Sequence, residues 1–462
     1  MTHPPMSTNP AGSIFRDKWF WTIVLVALAI RAGLLGCALR DGLPLDSADT
    51  PTYTNPARSL LAVGTLSQDS EPPYRIDTLR TPGYPLLIAA VWALAGGQMQ
   101  APVAMVQVLL STAAVGFVYA AGLLMIGRRG AIVAASLLAI EGLSAAMASY
   151  VLSDSLYQFC VGLWFYLLAR FLRDRSWPTL VAASLTAGLA LYVRPVGLLF
   201  PLVLAGLALW TTRGTWSGRL SRALAAVLIP AIVVFPWCLR NHLGADTWEL
   251  TTIASRNMLI FRAAKVKAMV EGKDFYREAR AELVAEAESR TPPDATPGER
   301  LRIGRKVAID YMCSHPQATM RAHLQGAVVL LALPDRWSVP HLLGADEQGG
   351  ILHSQAGWGD KIRQLWRQYH SVTLAYMIAS GLMLVGLWIA ALVGWFRAWR
   401  CGRRTEVAAL IITLACLIAA SVVPEAEPRL RIPLIVPLVL SAGLAFAARS
   451  ALTDTTTARD GG

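Results

Sequence analysis

The chain has 462 residues, of which 55% are apolar and only 16% charged, against roughly a quarter charged in a soluble domain. Its net charge of +12 sits in arginines clustered between apolar runs, which marks membrane loops and excludes a nucleic-acid partner. Six cysteines with no CxxC pair exclude a disulfide framework and read as small residues in or beside spans.

In chain order, apolar runs predict spans near 19–38, 102–126, 131–150, 155–172, 178–193, 195–211, 223–239, 372–396, 406–424 and 432–449. Each approaches the length needed to cross roughly 30 Å of hydrocarbon at about 1.5 Å per residue. The first run lacks a small-x-small cleavage site and reads as a retained span. The segment PGYPLLIAAVWALAGG (82–97) is too short to cross comfortably and reads as a helix dipping into the outer leaflet. The fold class expected is therefore an all-α polytopic membrane protein of about ten spans.

The arginines set the orientation. With Arg16 and Lys18 inside, the pieces GRRG (127–130), ARFLRDR (169–175), TRGTWSGRLSR (212–222) and RAWRCGRR (397–404) also fall inside. Only Arg194, Arg429 and Arg431 remain in short outer connections, as the positive-inside rule requires. Three regions follow. Residues 1–239 form a transmembrane module with a large first outer loop at 41–101. Residues 240–371 form an outer helical region, and 372–462 hold the last spans and a short inner tail.

This topology puts acids on the outer face. Asp46 and Asp49 lie in LPLDSADTPTY (43–53), just beyond the first span, and Asp154 lies in YVLSDSLYQF at the start of the fourth. An Asx turn would account for the first two and a helix N-cap for the third. Converging on one cleft, they would instead offer a general base, whose pKa a partly dry site would raise. Two charges lie deeper, Arg31 in the first span and Glu141 in the third. Their matched depth predicts a buried ion pair, because an unpaired charge there costs about 3 kcal/mol or more, with Arg31 snorkelling upward toward the cleft as the alternative. His242, His315, His323, His341, His353 and His370 are widely spaced and form no local zinc motif.

Five motifs recur in order: LDSADTPTYTNPARSLLAVGTLS, RTPGYPLLIAAVW, the paired arginines of GRR after the second span, LSDSLYQF with LYVRPVGLLFP, and EPRLRIPLIVPLVL opening the last span. Their order and spacing resemble the integral-membrane GT-C glycosyltransferases, in particular bacterial relatives of protein O-mannosyltransferases and lipid A aminoarabinose transferases. The resemblance covers residues 15–240 well and 400–450 moderately.

What it implies is a glycosyltransferase, a hexosyl- or pentosyltransferase, using a sugar on a polyprenyl phosphate. By carry-over Asp49 is the catalytic base, Asp46 a neighbour that could stand in, and Asp154 the acid that positions the acceptor or a metal. No Asp-Glu pair stands at the first site. A departing lipid phosphate needs cationic donors. The candidates are Arg80, Arg194, Arg429 and Arg431, with Glu427 orienting one of the last two and Tyr53 and Tyr84 lining the site. No cofactor is required by the pattern, and a divalent metal assembled across the fold stays open. The partners implied are a polyprenyl-phosphate sugar, the bilayer, and an envelope lipid, glycan or protein acceptor. The location implied is a bacterial inner membrane with the site facing outward. A flippase of lipid-linked sugars and a scaffold that has lost activity are the rival readings. A flippase is expected to show repeated halves with broken helices at mid-membrane, and no such repeat is visible.

Overall fold

A computed structural model describes residues 14–345 and 371–447. Among these residues the protein is all-helical, without strands. The elements used below are α1 (Lys18–Arg40), α2 (Pro51–Val63), α3 (Gly83–Ala95), α4 (Gln100–Met125), α5 (Gly127–Ile140), α6 (Gly142–Met147), α7 (Asp154–Asp174), α8 (Trp177–Leu191), α9 (Phe200–Thr211) and α10 (Trp216–Ala245). Next come α11 (Ile253–Asn257), α12 (Ala264–Glu271), α13 (Arg280–Ser289), α14 (Pro297–Ser314), α15 (Pro316–Ala332) and α16 (Ser338–Leu342). The described chain ends with α17 (Ser371–Arg400), α18 (Arg404–Ser421) and α19 (Ile432–Phe446).

Seven helices among the described residues are long and apolar enough to cross a membrane. The expected spans fall on helices, but those at 178–193 and 195–211 are shorter apolar helices and that at 131–150 is split between α5 and α6. The segment 82–97 is the short helix α3, as its length demands. α4 packs along α7, α5 and α1, while α19 lies between α17 and α5. α19 is apolar on every side and buried almost throughout, as a helix at the centre of a bundle must be. Where α19 crosses α5, the carbonyl of Gly443 and Gly130 meet so closely that a Cβ on Gly130 would stand 2.8 Å from that oxygen.

The basic connections gather at one end of the bundle. Arg128 pairs with Asp17 at 2.8 Å, Tyr119 donates to the same carboxylate at 2.6 Å, and Arg403 donates to the Met125 carbonyl at 3.1 Å. Asp49, Asp154, Arg194 and Arg429 lie at the opposite end.

The third expected span is interrupted. The chain turns extended at Glu141, whose carboxylate accepts from the Leu143 and Ser144 amides at 3.3 and 2.7 Å and starts α6. Arg31, fully buried, donates to Ala139 and Leu138 carbonyls at 3.1 and 3.3 Å and to Ser111 Oγ at 2.8 Å. The expected Arg31–Glu141 ion pair is therefore not formed. A helix break frees carbonyls on one side and amides on the other, and each charge caps the ends of opposite sign instead of its counterpart.

Residues 253–332 are built of the helices α11 to α15 and the turns between them. They have a small core of their own, built from Ala263, Ala264, Leu283, Ala287, Val307 and Ala308.

Candidate functional site

The site grows from three docked segments. The first outer loop is tied to the α6–α7 connection: Val151 N donates to the Leu45 carbonyl at 2.8 Å, and Thr50 Oγ1 to the Val151 carbonyl at 3.1 Å. Pro51 then starts α2 with its fixed φ, which suits a first helical turn. The RTPGYP segment docks on the end of α8. Gly83 N donates to the Tyr192 carbonyl at 2.7 Å and Thr81 Oγ1 to that of Val193 at 2.9 Å. The approach leaves no room for a side chain, since a Cβ on Gly83 would lie 2.6 Å from the Tyr192 oxygen. This contact explains the glycine of PGYP and brings Arg80 and Arg194 to one place.

There the acids meet the arginines. Asp49 stands between two guanidinium groups, accepting from Arg80 Nη2 at 2.9 Å and Arg429 Nη2 at 2.6 Å. Arg80 also donates to Thr52 Oγ1 at 2.9 Å and lies over the Tyr53 ring, 4.4 Å from its centroid. Tyr53 Oη is 3.1 Å from Ser153 Oγ. Arg194 joins the same hydroxyl at 2.8 Å to Asp154, whose Oδ2 accepts at 2.6 Å. Asp49 and Asp154 are thus two ends of one continuous polar network on one face of the bundle. Asp154 is fully buried, whereas the Asp49 side chain keeps 37% of its surface open, so an incoming ligand reaches Asp49 more readily.

The expected rise in carboxyl pKa is not found at Asp49. Burial raises it, but the charges of Arg429 and Arg80, helped by Arg194, outweigh burial and hold it below the ordinary carboxylate range. Two facing cations are worth more to the anion than partial desolvation costs.

Other expected residues lie elsewhere. Arg431 turns away from the cleft and donates to the Leu330 and Leu333 carbonyls at 2.9 and 3.0 Å. It starts a helix inside a packed core, where those carbonyls ending α15 are the acceptors within reach. Glu427 makes no ion pair with either arginine: Arg429 is taken by Asp49 and feels Glu427 only as a nearby charge. Tyr84 is fully buried and hydrogen-bonds Gln107 Oε1. Gln107 in turn donates to the Ala148 and Tyr150 carbonyls at 3.1 and 2.7 Å. Tyr84 thereby supports the floor of the site, edge-on to Tyr53 at 5.0 Å, rather than touching a ligand. Asp46 is exposed. No group of three His, Cys, Asp or Glu side chains that could hold a metal occurs among the described residues. His353 and His370 lie outside them.

Several contributors escaped the sequence. Thr52 and Ser153 carry no charge, and the only signal for them was adjacency to Tyr53 and Asp154. Glu425, two residues before Glu427, pairs with Arg262 of the outer region at 3.0 Å. Nothing in the sequence linked those two, which are far apart in the chain.

Comparison with known proteins bears on the fold. Residues 79–239, the stretch holding Arg80, Asp154 and Arg194, match the sequence model of a family described as dolichyl-phosphate-mannose-protein mannosyltransferase. No curated protein matches the chain. Among solved structures, the chain is similar to the Archaeoglobus fulgidus oligosaccharyltransferase tethered with an acceptor peptide, at TM-score 0.52 and 13% identity over 94% of this chain and 50% of that one. It is also similar to the archaeal oligosaccharyltransferase AglB from Archaeoglobus fulgidus in complex with an inhibitory peptide and a dolichol-phosphate, at TM-score 0.51 and 15% identity over 93% and 50%. A weaker overlay, TM-score 0.40 at 15% identity over 93% and 78%, is found with ArnT from Cupriavidus metallidurans bound to undecaprenyl phosphate. The chain spans about half the length of the oligosaccharyltransferases it matches. This multi-pass helical protein has the fold of the GT-C integral-membrane glycosyltransferases.

Proposed function

We propose that this protein transfers a sugar from a polyprenyl-phosphate donor to a cell-envelope lipid, glycan or protein acceptor, with Asp49 as base. The site faces the outer side of a bacterial inner membrane. The observation that carries the reading is the carboxylate of Asp49 held between Arg80 and Arg429, with Arg194–Asp154 joined to it through Tyr53 and Ser153. The dolichol-phosphate bound to AglB and the description of the family model support a lipid-phosphate donor.

The chemistry follows from the charges. The acceptor hydroxyl gives its proton to Asp49 as its oxygen attacks the anomeric carbon. The carbon–oxygen bond to the phosphate breaks, and the electron pair leaves with the lipid phosphate. Negative charge grows on that phosphate, where Arg80, Arg429 and Arg194 provide planar, bidentate donors. A phosphate drawn between Arg80 and Arg429 takes over donors that otherwise bond Asp49. Losing them makes the carboxylate more basic, so the base is strengthened when donor is present. Asp154, buried and fixed by Arg194, orients the acceptor side through Ser153 and Tyr53.

The test is transfer or hydrolysis of a panel of radiolabelled polyprenyl-phosphate sugars by the purified protein in lipid nanodiscs. Asp49→Asn is expected to lose about 100-fold or more in turnover, the contribution of a general base, while still binding undecaprenyl phosphate. A D49N variant as active as the parent on every substrate turned over would remove the base from this assignment.

A further inference from the structure

The two arginines that flank Asp49 come from opposite ends of the sequence, yet each is preceded by a segment fastened to the same outer helical region. Before Arg80, Thr251 Oγ1 donates to the Leu79 carbonyl at 2.5 Å, and Thr252 N and Oγ1 to the Thr78 carbonyl at 2.8 and 3.1 Å. Before Arg429, Arg262 Nε meets Glu425 Oε1 at 3.0 Å. α15 runs so close to that loop that a Cβ on Gly326 would overlap the Val423 carbonyl. Arg431, just past the clamp, ties back to the α15 carbonyls of Leu330 and Leu333. Thr251, Thr252 and Arg262 lie within a dozen residues of one another, on the entry to a helical unit with its own apolar core.

We propose that the outer region is a brace that sets the gap between Arg80 and Arg429, with Thr251, Arg262 and Glu425 as positioning residues for the lipid phosphate. None of the three contacts Asp49, so they act through the arginines. This rests on the reading of Arg80 and Arg429 as the phosphate clamp. A gap fixed by packed helices presents the guanidinium forks already spaced for one phosphate group, so binding does not have to order them. Without the brace, the loop at 422–427 loses its fixed position, and with it the turn that carries Arg429.

The test uses the full chain in nanodiscs and undecaprenyl phosphate as the probe, with KM and kcat measured for whichever labelled donor is turned over. Arg262→Gln and Glu425→Gln are each expected to weaken undecaprenyl phosphate binding about fivefold, the scale of one half-buried ion pair. KM should rise in step while kcat stays within about twofold, and the exchanged pair R262E/E425R should restore binding. Arg429→Gln separates the two levels of the reading. Parent-like binding by R262Q and E425Q, alongside weak binding by R429Q, overturns the brace and leaves the clamp standing. Parent-like binding by R429Q overturns the clamp itself. An exchanged pair no better than the single variants also overturns the brace. Should the charge variants unfold, as thermal melts would reveal, Thr251→Val carries the test through Arg80. It is expected to weaken binding about threefold by loss of one hydrogen bond, and parent-like binding by T251V then refutes the brace.

Discussion

The contact between Gly83 and Tyr192 makes a demanding prediction. In Gly83→Ala the new Cβ would start 2.6 Å from the Tyr192 oxygen, 2.9 Å from its carbon and 3.2 Å from Val193 Cγ2. The nearest atoms are backbone, so no side chain can swing aside. Ordinary contact requires α3 to retreat from the end of α8 by about 0.8 Å, which breaks the 2.7 Å hydrogen bond from Gly83 N. Overpacking of this kind costs about 1–3 kcal/mol and the bond about 1 kcal/mol more. The loss of stability should therefore be about 2–4 kcal/mol. The same retreat separates Arg80 from Arg194, and a misplacement near 1 Å is enough to cost up to about 100-fold in rate. Thermal melts in nanodiscs with the transfer assay read both quantities. Gly206→Ala is the control, because Gly206 sits exposed in α9 with no atom within 4 Å of its would-be Cβ. G206A should be neutral or stabilised by up to about 1 kcal/mol. A G83A protein that melts and turns over like G206A would refute the account of how the PGYP segment assembles the site.

Two further outcomes follow from the network. Arg194→Gln strands the fully buried Asp154 without its partner and should cost about 3–5 kcal/mol. The double variant R194Q/D154N should recover most of that in thermal melts, and no recovery would mean that the pair is not what the single variant loses. Asp49, held below the ordinary carboxylate range, stabilises the protein above the pKa of an unfolded aspartate, and this contribution fades as pH falls through the lower folded value. The difference in melting temperature between parent and D49N should therefore stay constant from about pH 8 to pH 5 and shrink only below about pH 4. A difference already shrinking near pH 6 would show that the arginines do not hold the carboxylate as the geometry has it.

Much of this was visible in the sequence because membranes impose strong rules. Apolar runs gave the helices, and arginines placed the loops at one end, where Arg128 pairs with Asp17 and Arg403 reaches the end of α4. The motif residues Asp49, Arg80, Arg194, Arg429 and Asp154 converge because the long loop 41–101 is fastened to the α6–α7 connection and to the end of α8, and the spans beneath pack closely. Arg431 misled because a single residue, Leu430, separates it from Arg429 and a short helical turn sends the two side chains in different directions. The Glu425–Arg262 pair was hidden for the opposite reason. It joins segments more than 160 positions apart, and no local pattern encodes which face of the outer region turns toward the bundle.

The deeper charges show what kind of information a sequence withholds. Arg31 and Glu141 share a depth, which suggested that each neutralised the other. Each instead serves the backbone at one broken helix: Arg31 takes the carbonyls that α5 leaves free and Glu141 takes the amides that α6 leaves free. A continuous third span would need neither cap and would carry the chain straight on to the membrane surface. The break instead shortens the path and lays residues 148–153 across the first outer loop, where Val151 bonds Leu45 and Thr50. That crossing sets Ser153 against Tyr53 and Asp154 against Arg194. Two buried charges thus fix where Asp49 and Asp154 stand, and they do so by interrupting a helix rather than by attracting each other.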